Sequence, residues 1–222
     1  MSPKKSSSSS KADILFSADE NDALDFDGSS MLSESAIKYR QIYLCDNLDD
    51  SAYEEFKRAY DKLTDMDSVK PIHIVIGSAG GSVFSALGII NTILLSKTPI
   101  YTYVLNRAWS CGAWIYLAGH KRFAPNTGLT SFMLHPFSWT NDGGYNDQKA
   151  FIDNVTVLQH NLVVFAQSRT KIPESILQGI SDSKNHYFTG EELFSNGIAT
   201  DVLESLDFHL PAVKKKKAVV KD

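Results

Sequence analysis

Apolar residues recur along the chain in two alternating rhythms. Short, dense, β-branched runs read as buried strands: RQIYLC from Arg40 to Cys45, PIHIVIG from Pro71 to Gly77, and Pro99 to Leu105. The stretches between them carry a helical period. Ser51 to Leu63 places Tyr53, Phe56, Ala59, Tyr60 and Leu63 on one face. Ser82 to Ser96 and Ser110 to Ala118 are apolar nearly all round, as buried helices are. Arg122–Phe123 and Ser131–Leu134 read as strands around the turn Pro125-Asn126-Thr127-Gly128. Asn146 to Arg169 forms a long helix with Phe151, Val155, Leu158, Leu162 and Phe165 at its apolar positions. Shorter helices start at Glu174 and run from Gly190 to Asn196. Repeated strand–helix units predict an α/β fold with a largely parallel sheet.

The ends depart from this rhythm. Residues 1–37 are rich in Ser and Asp and carry three Lys against seven Asp or Glu. So little apolar surface cannot offset chain entropy, and the segment is expected to be disordered. Residues 38–210 form the expected folded domain, and 211–222 a basic tail containing Lys214–Lys217, read as solvated. Over all 222 residues the net charge is −4, with no basic excess that would suggest nucleic acid. Two cysteines, Cys45 and Cys111, form neither a disulfide framework nor a zinc motif. The longest strongly apolar stretch, Ala86 to Leu95, is too short to span a bilayer and contains Asn91 and Thr92. The serine run after Lys4 and Lys5 stands where a signal peptide needs an apolar core. A cytoplasmic protein without a membrane segment is expected.

Three sites have chemical potential. GSAGGS, from Gly77 to Ser82, lies where a strand gives way to a helix. Its glycines permit positive φ and close backbone approach, and free N–H groups at a helix start can hold a developing oxyanion. AWSCGA, from Ala108 to Ala113, sits at another strand-to-helix turn, where Ser110 either caps the helix or is presented as a nucleophile. His135 ends a strand just before Pro136, a place suited to a general base. Ser110 follows Gly81 by 29 positions, and His135 follows Ser110 by 25.

In this order and spacing the chain resembles the proteolytic subunit of Clp protease. GSAGGSV, AWSCGAW, GHKRF, PNTG and MLHPF follow one another as in that family, and KNHYFTGEELFSNGIATD resembles its closing segment. The likeness runs from about Arg40 to Glu204. It implies a Clp protease/crotonase-like spiral of ββα units, with a handle helix protruding from Asn146 to Arg169. It implies Ser110 as nucleophile, His135 as base, and the N–H groups of Gly81 and Cys111 as oxyanion hole. The implied activity is serine endopeptidase cleavage of unfolded polypeptides in a chamber of two stacked heptameric rings, with protein quality control as its setting. No metal or organic cofactor is implied, and ATP would be used by a AAA+ unfoldase partner. Gly143 and Gly144 fall where the family has a flexible strand lining the substrate groove.

The chain also departs from the family pattern. Ala79 stands where Pro is usual, and Cys111, read as a buried packing residue, where Met is usual. Aligning the closing segment on Glu192 and Gly197 puts Asn185 at the triad's aspartate, with Asp182 three residues upstream as substitute and His186 as a polar neighbour. Residues 1–37 do not resemble the axial loops that contact an unfoldase. A ring subunit with weak or absent catalysis is therefore a second reading. A crotonase-type acyl-CoA enzyme is a third, opposed by the triad-like spacing of Ser110 and His135.

Overall fold

The structure is a computed structural model that describes residues 33–138, 144–181 and 184–206. The segment 1–32, the Lys214–Lys217 tail, Gly143 and Asp182 lie outside the described residues. The chain opens with α1 (Glu34–Tyr39), capped by the Ser33 side chain. Its residues 34–37 are thus helical, ahead of the domain boundary read from composition, and Ala36 is buried.

β1 (Gln41–Leu44), α2 (Asp50–Met66), β2 (Ile72–Ile76), α3 (Val83–Leu95) and β3 (Ile100–Val104) follow close to their expected positions. Asp49 caps α2 by accepting from Ala52 N–H at 2.9 Å, and Ser82 caps α3 by accepting from Ser85 N–H at 3.3 Å. Next come β4 (Arg107–Trp109), α4 (Cys111–Ala118), β5 (Lys121–Ala124) and β6 (Ser131–Leu134). The long α5 (Tyr145–Arg169), α6 (Glu174–Ser181), β7 (His186–Thr189), α7 (Glu191–Ser195) and β8 (Asp201–Val202) complete the order.

Five strands form a parallel sheet in the order β1-β2-β3-β5-β8. A smaller sheet, β4-β6-β7, pairs β4 with β6 in parallel and β6 with β7 antiparallel. β5 and β6, which flank the Pro125–Gly128 turn, therefore belong to different sheets and do not form a hairpin. The reason is local: Ser131 N–H donates to Asn106 O at 2.8 Å, so β6 docks beside the chain leaving β3.

Helices α3 and α4 pack together behind the large sheet, and all eight residues of α4 are buried. Trp114, Tyr116, Ile89 and Ile93 lie in one continuous core with Ile42, Ile74 and Val104 of the strands. The last carbonyls of α4 and the residue after it are satisfied from a distance. Arg169, ending α5, donates from Nε to Leu117 O at 2.9 Å and from its guanidinium to Ala118 O and Gly119 O. α5 buries Val155, Leu162, Val163 and Ala166, so contact with the core is concentrated in its C-terminal half.

Candidate active site

The site lies where two strand-to-helix turns meet the end of β6. β4 ends at Trp109, whose N–H donates to Ser78 O at 3.1 Å, and Ser110 N–H donates to Met133 O at 2.9 Å. These bonds hold the turn between the Gly77–Gly81 segment and β6. Ser110 then adopts φ 53° and ψ −125°, a backbone conformation that L-residues rarely take. Its side chain makes no bond to the helix start it precedes, so it does not act as a cap. Instead the strained turn lifts Oγ out of the helix, the geometry of a nucleophile elbow.

His135 Nε2 lies 2.7 Å from Ser110 Oγ. The imidazole follows β6 directly, and the loop after it is held to α5 by Phe137 N–H donating to Gln159 Oε1 at 2.8 Å. Partial burial pushes the imidazole pKa below its ordinary value of 6.5 and favours the neutral ring that a general base requires.

Gly80 must be glycine for two reasons. Its φ is +111°, and a Cβ there would sit 2.7 Å from Ser110 Cβ, 3.0 Å from Ser110 Oγ and 3.1 Å from Cys111 N. The glycine turn therefore presses directly against Ser110. Among the described residues, neither Gly81 N–H nor Cys111 N–H donates to a backbone carbonyl, and both lie close to the Cys111 sulfur. Two donors without a carbonyl partner beside a half-buried hydroxyl can bind an oxyanion.

Next to Gly81 opens a mostly apolar cavity of about 160 Å³, lined by Val83, Phe84, Phe137, Phe151 and Val155 with Ser82 and Ser138. A larger, more open depression of about 260 Å³ runs from Tyr43 to Glu55 beyond Leu48. It carries Asp46, Asp49 and Glu55, whereas the smaller cavity opens at Gly81, whose carbonyl accepts from Cys111, and at Phe137, two residues after His135. Among the described residues, no cluster of His, Cys, Asp and Glu is arranged to hold a metal ion.

The third position is less complete. β6 and β7 pair with Leu134 opposite His186, and the same register projects Asn185 opposite His135. Asn185 is exposed and makes no hydrogen bond among the described residues. His186, partly buried, leaves its Nε2 buried and without a partner among the described residues, and it packs toward Gly179 of α6, away from Ser110. The strand β7 that carries this register was not read from the sequence. Its HYFT run is short and carries no run of alternating apolar residues long enough to mark a strand.

The Clp protease family profile matches residues 27–206, and this chain belongs to that family. Two relatives are each called ATP-dependent Clp protease proteolytic subunit 1, one from Prochlorococcus marinus and one from a Synechococcus species. Each is 28% identical over 138 residues, covering 62% of this chain and 70% of the relative. The α/β architecture with its parallel sheet is that of the family. Among the described residues no helix is long and apolar enough to cross a membrane.

Proposed function

We propose that this chain is the peptidase subunit of a Clp-type protease, with Ser110 as nucleophile and His135 as general base. The observation that carries this reading is the 2.7 Å contact between His135 Nε2 and an Oγ raised on a strained turn. Nε2 takes the Ser110 proton as Oγ attacks the scissile carbonyl. The N–H groups of Gly81 and Cys111 receive the oxyanion of the tetrahedral intermediate. The imidazolium then returns the proton to the departing amine and leaves an acyl-serine. A water, deprotonated by the same ring, hydrolyses it.

For Nε2 to accept, the neutral ring must carry its proton on Nδ1. Asn185, projected opposite His135, supplies that orientation when Oδ1 accepts the Nδ1 proton, and Asp182 is its substitute. An amide holds the tautomer without stabilising imidazolium by charge, so turnover is slow. The apolar cavity beside Gly81 favours large apolar side chains before the scissile bond. Substrates are unfolded polypeptides, delivered by a AAA+ unfoldase that hydrolyses ATP, and the working assembly is two stacked heptameric rings.

Asn185 also favours a second reading, a ring subunit with residual or no peptidase activity that serves assembly. A fluorophosphonate probe with intact-mass detection separates the two. Stoichiometric labelling of wild type, absent in Ser110→Ala, supports the peptidase. No labelling of the assembled wild-type protein supports the assembly role. Ser110→Ala cleaving a fluorogenic peptide at the wild-type rate removes the mechanism.

A further inference from the structure

The backbone around Gly81 is bonded on every side but one. Gly80 N–H donates to Ser78 Oγ at 3.0 Å. Leu48 N–H donates to Gly80 O at 3.0 Å, and Ser82 N–H donates to Leu48 O at 2.5 Å. The Gly81 carbonyl accepts from Cys111 Sγ at 3.3 Å, across 30 positions of chain. Gly81 N–H alone has no carbonyl partner, and the Cys111 sulfur is its neighbour as well. The two peptides flanking Gly81 are thus both held through their carbonyls, one by a backbone amide and the other by a thiol.

Cys111 takes part twice. Its own N–H is the second donor beside Ser110 without a carbonyl partner, and its side chain reaches back to the residue that carries the first. Gly81, at φ +150°, has no Cβ to restrict its torsions, so its orientation must come from such outside restraints. We propose that the Cys111 thiol is a positioning residue of the oxyanion hole: its S–H···O=C bond ties Gly81, the residue bearing one donor N–H, to Cys111, the residue bearing the other. The inference rests on the peptidase reading of the site. Only the protonated thiol can donate. Burial at 1% exposure, which raises the thiol pKa, keeps it protonated and out of reach of oxidants. A thiol is a weak donor, so its share is the aim of the Gly81 N–H and not bulk stability.

The test uses the full-length assembled protein, a fluorogenic peptide, a peptide boronate and the cleavage product of the same sequence. The boronate adds to Ser110 Oγ to give a tetrahedral anion that needs the oxyanion donors; the product peptide does not. Cys111→Ala should lower kcat about tenfold with KM little changed, less than the ~10²–10³ lost when a donor itself is removed. Boronate affinity should fall by the same factor while product affinity holds. Cys111→Ser, which keeps a donor, should retain most of the activity. Wild-type kcat in Cys111→Ala overturns the proposal, as does equal weakening of boronate and product. If the variants do not fold, the S–H infrared band of Cys45→Ala protein decides. Cys111 is then the sole thiol, and its band should lie below that of the denatured chain; an unshifted band overturns the proposal. Ser110→Ala run in parallel keeps the two readings apart. Undiminished cleavage there sinks the peptidase reading itself, whereas its loss alongside unaffected Cys111 variants sinks only the thiol's role.

Discussion

Ser110 and His135 are separated by 25 residues of chain, yet their side chains meet because each is fixed from behind. Met133 O holds Ser110 N–H, and α5 holds the loop after His135. Gly80→Ala should abolish cleavage, since its methyl would fall 2.7 Å from Ser110 Cβ at a φ that alanine disfavours. Peptide hydrolysis checks this, with circular dichroism to show that the fold survives. Burial depresses the His135 pKa, so the acidic limb of kcat/KM should lie below pH 6.5. Below pH 6.5 the unfolded chain binds a proton that the folded chain resists, so this residue weakens the fold as pH falls. Asn185→Asp should raise kcat, because in Ser-His-Asp proteases an aspartate in this role is worth about 10⁴-fold over asparagine. If Asp182 fills the role instead, Asp182→Ala should abolish turnover while Asn185→Asp changes little. Stopped-time peptidase assays of both variants distinguish the cases.

Most elements were legible because their periods are strong. α3 and α4 are apolar runs ending at capped or turning positions, and β1, β2 and β3 are β-branched runs bounded by polar residues. The elements that escaped are short and polar on one face. β4 has only Arg107, Ala108 and Trp109, β8 only Asp201 and Val202, and β7 alternates His186 and Phe188 with exposed Tyr187 and Thr189. Such strands are defined by pairing partners far along the chain, which no local period encodes. The separation of β5 and β6 into two sheets escaped for the same reason. Within the site, Ser110, His135 and Gly81 were legible from their order, whereas the thiol contact of Cys111 depends on a tertiary approach. Arg122 is another case. Its residue lies in a strand read from sequence, but the side chain is only 5% exposed. It donates to Ile198 O at 2.7 Å, Arg169 O at 2.8 Å and Gly197 O at 2.9 Å. One guanidinium thus ties β5 to the end of α5 and to the loop before β8. Arg122→Met keeps the packing stem but orphans three carbonyls, so unfolding in urea should show a loss of more than about 2 kcal/mol.

For the molecule as a whole, the distribution of apolar surface decides what it does next. α5 packs Val155 and Leu162 inward, while Val157 and Val164 remain 58% and 47% exposed. The two valines are seven residues apart and share one face of the helix, away from the buried one. Val69, Leu95 and Leu129 are also largely exposed in the isolated chain. Scattered single residues of this kind are ordinary, but a repeated pair along a 25-residue helix is a surface that another protomer can cover. In the proposed assembly, α5 is the element that joins one ring to the other. Sedimentation velocity on the wild-type protein should then show the stacked-ring species and no stable monomer at micromolar concentration. Placing charges on the exposed face with Val157→Asp and Val164→Asp should split that species into single rings or smaller forms. Each change would bury an unpaired carboxylate at the contact and leave the fold of the free protomer untouched. Near-ultraviolet circular dichroism should confirm the protomer's packing. If the doubly substituted protein sediments like wild type, α5 does not join the rings; a monomeric wild type would remove the stacked assembly.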